Sequence, residues 1–173
     1  MDDATEPKTI ETLRELLIEE LSELYDAEVQ LTDALPEMAE AASDRNLKLA
    51  LSEHLKMSRE HLRRLRYIFL LLDGSSNGKR SRGMAGLIQG EGEWMRQGAG
   101  AALRDAAVIC SAQKMEHYGI AGYGTVRTFA ELLGADEIAE LLLKTQTEKI
   151  ERDQSLNALA TSINPLAVKI GSD

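Results

Sequence analysis

The sequence predicts an all-α fold built as a bundle of long helices, and three observations lead to this class. The 173 residues include only three prolines, at positions 7, 36 and 165, so residues 37–164 contain none. This proline-free stretch is rich in Ala, Leu, Glu, Lys and Arg, which are strong helix formers. Apolar residues recur in it at alternating spacings of three and four positions, which is the period of a helix with one buried face.

The first helix is predicted to begin at Thr9 or Thr12 and to end near residue 42. Thr9 is a candidate N-cap, whereas Thr12 has Glu15 three residues later, which is the spacing of a capping box. Pro36 cannot donate a backbone hydrogen bond, so a bend is expected there. The apolar seam of this helix contains Leu13, Leu17, Leu21, Leu24, Leu31 and Leu35.

The second helix and the connection after it are predicted from turn residues. Ser-Asp-Arg-Asn at 43–46 provides a turn and a cap, and the Asp, Gly, Ser and Asn residues of 73–78 end the helix. A short helix is predicted over residues 84–97, followed by a flexible joint at 97–101. The seam of the second helix contains Leu47, Leu51, Leu65, Ile68 and Leu72, and the short helix contains Met84, Leu87, Ile88, Trp94 and Met95.

Two further long helices, over residues 102–133 and 136–163, complete the predicted bundle. The earlier one stops at Gly134, a suitable residue after a helix end, and the later one stops at Asn164-Pro165. The long connection between the second and third long helices, with its short extra helix, is typical of ferritin-like four-helix bundles. The expected organisation is a flexible N-terminal tail, a single ferritin-like domain and a C-terminal tail, at residues 1–8, 9–165 and 166–173.

Composition and charge exclude several functional classes. A net charge of -9 and a pI near 4.9 argue against binding to nucleic acid or to an anionic membrane, because both require a basic field. Cys110 is the only cysteine, so an internal disulfide is excluded. Since we find no signal peptide and no long apolar run, we expect a cytoplasmic protein. No nucleophile elbow, P-loop or dinucleotide fingerprint supports a hydrolase or a transferase.

The predicted seams are apolar at their ends and polar in the middle. The seam of the third long helix is predicted at positions 106, 109, 113, 116, 120 and 123, and that of the fourth at 141, 145, 148, 152, 156 and 159. A buried carboxylate costs several kcal/mol unless it is paired or binds a cation, so the central glutamates need partners. The central polar residues and their neighbours are Glu28, His54, Ser58, His61, Gln113, Glu116, His117, Glu148, Glu151 and Arg152.

Two explanations for this polar centre compete. A di-iron or di-manganese site is one, because carboxylate oxygens together with histidine nitrogens suit iron and manganese. A buried polar network is the other, in which the histidines and Arg152 neutralise the glutamates. The hallmark of the metal bundle is Glu-x-x-His, because residues three apart project to one side of a helix. No histidine here has a glutamate three residues before it, and Glu148-x-x-Glu151 is the nearest equivalent.

Several stretches of the sequence together form a specific set of motifs. They are TIETL at 9–13, LYDAEVQLTDALPEMAEAA at 24–42, HL at 54–55, RLRYIF at 64–69, MAGL at 84–87, AQKMEHYGIAGYGT at 112–125 and LNALATSIN at 156–164. In these motifs the sequence resembles the YciE/YciF family of ferritin-like bacterial stress proteins, over residues 9–167. The resemblance implies five helices, dimerisation through helical faces and a rubrerythrin-like metal site.

The resemblance also implies which residues would form the metal site. Glu28, Glu116 and Glu148 match acidic positions of the family's motifs, and Asp153 matches the aspartate that follows the last of them. The sequence departs from the family at two places. Family members carry two glutamates where this chain has Lys56 and Met57, and another where it has Gly119. Carboxylates are therefore missing on two helices, which leaves a single-metal site, or no metal, as the alternatives to a two-metal site.

Two functions follow from these readings. The first is a stress-associated protein whose bound iron or manganese reacts with oxygen or peroxide. The second is a metal-free helical homodimer with a structural or protein-interaction role. In the first, the ligands would be Glu28, Glu116 and Glu148 with Glu151, His61 and His117 as auxiliary ligands, surrounded by Tyr25, His54, Gln113, Tyr123, Arg152 and Asp153.

Overall fold

A computed structural model describes residues 9–76, 78–96 and 100–168, with no side-chain description at 91 and 93–96. The described residues form helices and no strands, as predicted for an all-α bundle. The helices are α1 Leu13–Ala41, α2 Arg45–Leu71, α3 Arg82–Arg96, α4 Ala101–Leu132 and α5 Asp136–Val168. Helix α3 is the short helix of the long connection, and it packs mainly on α4 and also contacts α1.

Thr12, rather than Thr9, is the N-cap of α1. The Thr12 hydroxyl accepts a hydrogen bond from the Glu15 backbone N–H at 3.1 Å, and the Glu15 carboxylate accepts one from the Thr12 N–H at 3.0 Å. These reciprocal bonds satisfy two backbone donors that a helix start would otherwise leave unpaired. The helix then continues through Pro36 to Ala41.

The end of α4 confirms the predicted role of Gly134. This glycine has φ +68°, and the Ala135 N–H behind it donates to the Ala130 carbonyl at 2.9 Å. A residue with a Cβ is strained at such a positive φ, so glycine suits the position. The tight reversal brings α5 back along α4, and these two helices share the most extensive interface among the described elements.

Two other predicted boundaries need correction or lie outside the described residues. Helix α5 does not stop at Asn164-Pro165 but continues to Val168, because a proline removes only its own N–H while later residues still donate to earlier carbonyls. Residues 166–168, predicted to begin a C-terminal tail, are therefore helical. Other predictions fall outside the described residues. They concern the tail at 1–8, residues 97–99 of the joint, residues 169–173, and the side chains of Trp94 and Met95.

The buried core consists of two apolar clusters with a polar layer between them. One cluster includes Leu31, Leu35, Leu47 and Met115, among others, and the second includes Leu17, Leu65 and Val126, among others. The buried polar side chains of the layer are Glu28 on α1, His54, Ser58 and His61 on α2, Glu116 on α4, and Thr145 and Lys149 on α5.

The seam predicted for α5 is wrong by about one position. The buried residues of this helix include Leu142, Thr145, Lys149, Asp153 and Leu156, so positions 141, 148, 152 and 159 do not form its buried face. The predicted seam and the observed one both use spacings of three and four and share positions 145 and 156, so spacing alone does not distinguish them. Lys149 also made the observed seam look like a solvated face, because lysines are usually exposed. In α4 the seam likewise includes Ala112, Met115 and Gly119 rather than Gln113 and Ile120.

Asp105, at the start of α4, forms hydrogen bonds with the backbone of the turn between α1 and α2. Its two carboxylate oxygens accept hydrogen bonds from the backbone N–H groups of Ser43 at 2.6 Å and Asp44 at 2.9 Å, and its side chain is buried.

We expect Asp105→Asn to lower the free energy of unfolding by about 1.5–3 kcal/mol, because a charged acceptor is lost and an amide N–H faces another donor. Denaturant unfolding measures this loss. Asp33→Asn, at an exposed position, is the control, and equal stability of the two variants would refute this role.

Candidate functional site

Lys149 lies at the centre of the polar layer. Its side chain is 2% exposed, and its Nζ lies 2.9 Å from Glu28 Oε1 and 3.4 Å from Glu116 Oε2. Glu28 and Glu116 are themselves buried, on α1 and α4. An ammonium ion from α5 therefore bridges two carboxylates that belong to different helices. We call Glu28, His54, His61, Glu116, Tyr123 and Lys149 the central cluster.

The two histidines of α2 also contact these carboxylates. His54 Nε2 lies 2.9 Å from Glu116 Oε1, without the alignment of a hydrogen bond. His61 lies between two glutamates, with Nδ1 3.4 Å from Glu28 Oε1 and Nε2 3.1 Å from Glu148 Oε2. The Tyr123 hydroxyl donates to Glu28 Oε1 at 3.1 Å. Three helices besides α1 thus direct polar atoms at the Glu28 carboxylate.

Arg64 pairs with Glu148 at the edge of the cluster. Its two terminal nitrogens lie 2.8 and 3.2 Å from the two carboxylate oxygens, which is the bidentate geometry preferred by a guanidinium and a carboxylate. Arg64 also donates to the Thr145 hydroxyl. The Glu148 side chain remains 18% exposed, so it borders the buried cluster and does not lie inside it.

The buried carboxylates are held ionised by this arrangement. Burial is the largest single influence and would raise the pKa of Glu28 and of Glu116. Lys149 beside both, together with His61 beside Glu28 and His54 beside Glu116, outweighs it and lowers the two pKa values below their ordinary value. Burial alone would likewise lower the pKa of Lys149, and the two glutamates raise it instead. The three groups therefore stabilise one another as charges.

At the edge of the cluster, the hydrogen bond from His61 is the main cause that lowers the pKa of Glu148 to about 2, and Arg64 acts in the same direction against burial. Lys149 and Arg64 thus place two cations beside the three glutamates, which limits the cost of burying these carboxylates.

Gly119 makes room for the lysine side chain. A Cβ added at Gly119 would lie 2.6 Å from Lys149 Cδ, 2.7 Å from Cε and 3.1 Å from Nζ. The two carbon–carbon distances are shorter than real Cβ contacts, so a larger residue at 119 would displace the Lys149 side chain from its position beside Glu28 and Glu116. The helix therefore carries a residue of poor helix propensity where the lysine crosses its surface.

Gly119→Ala should accordingly destabilise the protein although alanine favours helices. We expect the overpacking cost of about 1–3 kcal/mol to exceed the gain in helix propensity of about 1 kcal/mol, so the melting temperature falls. Gly86→Ala in α3 is the matched control, because a Cβ there has no neighbouring atom within 4 Å and the melting temperature should rise. Thermal unfolding followed by circular dichroism compares the two, and a gain for both would show that Lys149 does not need the glycine.

The structure places the sequence-predicted site residues in two groups. Glu28, Glu116, Glu148, His61, His54 and Tyr123 come together around Lys149. His117, Glu151, Tyr25, Gln113, Arg152 and Asp153 do not join them. His117 is 66% exposed, and its Nε2 lies 3.3 Å from Asp153 Oδ2. Gln113 donates to the other oxygen of Asp153 at 3.4 Å. Tyr25 accepts a hydrogen bond from Arg66 at 2.9 Å, and Glu151 is exposed. The cations of the network are Lys149 and Arg64, not Arg152 and His117.

Sequence reasoning missed Lys149 and Arg64. Two signals could have indicated the lysine: its position in the alternative seam that runs through 142, 145, 149 and 156, and the unexplained glycine at 119. For Arg64 we find no such signal, because an arginine beside a seam is usually solvated.

The residues present do not fit a carboxylate-bridged metal site. An ammonium donates protons and accepts no metal, and Lys149 takes the point on which Glu28 and Glu116 converge. Among the side chains that the structure describes, which exclude those of residues 91 and 93–96, no group of three or more His, Cys, Asp or Glu is arranged to hold a metal ion. The carboxylates instead already have cationic partners from the protein itself.

Comparison with known proteins agrees with the fold and the motifs. The family model described as domain of unknown function DUF892 matches residues 12–168. Protein YciF of Escherichia coli strain K12 is 38% identical over 155 residues, which is 87% of this chain and 92% of YciF. No helix in the described part of the chain is long and apolar enough to cross a membrane.

Two solved structures are similar over most of this chain. The crystal structure of the E. coli stress protein YciF has a TM-score of 0.85 at 36% identity, covering 88% of this chain and 96% of its own. YcfI, a putative structural protein from Rhodopseudomonas palustris, has a TM-score of 0.85 at 36% identity, covering 88% and 97%. The resemblance found in the motifs is confirmed, and this chain belongs to the DUF892 family with its YciF-type relatives.

Proposed function

We propose that this protein is a stress-associated helical protein that works without a metal ion, as a homodimer with a structural or protein-interaction role. The Lys149 ammonium between Glu28 and Glu116 is the observation that carries this proposal. It supports the metal-free alternative over the iron or manganese protein. The description of YciF as a stress protein and of YcfI as a putative structural protein agrees with it.

The burial of the central cluster also favours a structural role. Glu28, Glu116, His54, His61 and Lys149 are each no more than 2% exposed. A reactive metal centre needs an open ligand position for its substrate. Here the bundle centre is filled by side chains that pair with one another, so its contribution is to hold four helices in register.

Metal analysis tests the proposal directly. Protein purified without chelator should contain substoichiometric iron and manganese, and addition of Fe(II) under anaerobic conditions or of Mn(II) should leave the melting temperature unchanged. Glu116→Ala serves as the matched control for any metal that does bind. Stoichiometric metal that disappears in Glu116→Ala would refute a metal-free function and restore the ferritin-type alternative.

The homodimer is tested separately. Several large apolar side chains are exposed on helix surfaces, among them Leu70, Leu132 and Leu143. Such residues suit a helical interface. Light scattering coupled to size-exclusion chromatography should give a mass of twice the 19.0 kDa chain. A monomer across the micromolar concentration range would argue against dimerisation.

A further inference from the structure

We infer that Gly119 and Lys149 are a coupled pair that keeps divalent cations out of the central cluster, and that replacing both by glutamate makes the cluster a metal site. This inference rests on the proposed metal-free function and deepens it. It attributes the exclusion of metal from the central cluster to these two positions on α4 and α5. It treats Glu28, Glu116, His54 and His61 as the available ligands, since Lys56 and Met57 leave α2 without the two family glutamates. Three features of the cluster support it.

The first feature is the chemistry of the residues around Lys149. Glu28, Glu116, His54 and His61 are all of metal-ligating type, and they come from three different helices. Some of their atoms are unused, since Glu28 Oε2 and His54 Nδ1 are buried without a hydrogen-bond partner. Lys149 is the one member contributed by α5, and it is the one that repels a cation.

The second feature is the contact between Gly119 and the lysine. A side chain at position 119 would overlap the Lys149 side chain along Cδ and Cε, at 2.6 and 2.7 Å. A carboxylate at 119 and the lysine at 149 therefore exclude each other sterically. Any change that restores one requires a change at the other, so the two positions form one unit.

The third feature is the charge balance. With glutamate at 119 and 149, two carboxylates replace one ammonium. The cluster would contain four buried carboxylates from α1, α4 and α5 with only the histidines beside them, because Arg64 pairs with Glu148. So large a buried negative charge must be neutralised, either by protons or by added cations, and divalent cations compete best with protons near neutral pH. Carboxylate oxygens with imidazole nitrogens suit Mn(II) and Fe(II). The variant site should therefore take up these ions.

The test compares wild type with Gly119→Glu/Lys149→Glu, using Mn(II) as the probe because it resists oxidation. We expect the double variant to bind Mn(II) stoichiometrically in isothermal titration calorimetry and to gain several degrees in melting temperature on adding the ion. Removing a ligand with Glu116→Ala in that background should abolish the gain. A folded double variant that ignores Mn(II) overturns the inference and leaves the proposed function intact, whereas Mn(II) binding by wild type overturns the proposed function.

A second measurement applies whether or not the double variant folds. Gly119→Ala should lower the melting temperature when residue 149 is lysine and raise it in the Lys149→Ala background, where the overlapping side chain is gone. This change of sign is the signature of a coupled pair. The same shift in both backgrounds would show that the two positions act independently and would overturn the inference.

Discussion

Lys149→Met is expected to lower the free energy of unfolding by about 3–5 kcal/mol near neutral pH, the cost of removing one partner from a buried ion pair. Methionine keeps most of the lysine's volume, so the loss is electrostatic rather than a cavity effect. Glu28 and Glu116, both buried, then face each other without the ammonium that lies between them. For a domain whose total stability is about 5–15 kcal/mol, such a loss removes much of it.

Lys144→Met on the same helix is the matched control, because Lys144 is exposed. We expect this variant to stay within about 0.5 kcal/mol of wild type, as surface substitutions usually do. Urea unfolding monitored by circular dichroism gives both values. If Lys149→Met were as stable as Lys144→Met, the buried carboxylates would not depend on Lys149, and the arrangement of the cluster would be wrong.

The Lys149→Met variant should become more stable as pH falls from 8 to 5, whereas the stability of wild type should stay nearly constant over this range. In wild type, the pKa values of Glu28, Glu116 and Glu148 are lowered below the ordinary 4.5, so the stability they contribute is present above pH 4.5 and is lost as pH falls through the folded values. The pKa of Lys149 is raised above 10.5, so its contribution is fully present below pH 10.5 and is lost at higher pH. Wild type should therefore be most stable between about pH 5 and 10.

Without the ammonium, burial is no longer outweighed, and a carboxyl of the Glu28 and Glu116 pair should have a raised pKa. The variant then gains stability as pH falls from 8 to 5, on the order of 1 kcal/mol, because a carboxyl with a raised pKa binds a proton more readily in the folded state than in the unfolded state. Melting temperatures measured across this range compare the two proteins, with Lys144→Met again as control. Parallel pH profiles for wild type and Lys149→Met would contradict the assignment of Lys149 as the partner of these carboxylates.

Much of the fold follows from local sequence rules. The capping box at Thr12 and Glu15, the leucine seam of α1 and the glycine after α4 each have a short-range physical cause that a single sequence displays. The polar centre of the bundle was also predictable, because Glu28 interrupts a run of leucines. The continuation of α5 through Pro165 was not predictable, since one lost hydrogen bond does not by itself end a helix that already packs along its neighbour.

The identity of the central cation could not be predicted in the same way. Lys149 is a typical surface residue by type, and its burial depends on two carboxylates from α1 and α4 that are distant in sequence. The space for it depends on Gly119, which is 30 positions earlier in the chain. Periodicity along one helix contains no information about such contacts between helices. Resemblance to the family indicated that a carboxylate is missing at position 119, but not that the Lys149 side chain occupies the space beside Gly119.

Crystals grown with excess Mn(II) and measured at the manganese absorption edge will show whether an ammonium or a metal ion occupies the central cluster. We expect no anomalous peak there, with the Lys149 Nζ lying between the carboxylates of Glu28 and Glu116 at about 2.9 and 3.4 Å. An anomalous peak bound by Glu28 and Glu116, with the Lys149 side chain displaced from between them, would contradict this expectation.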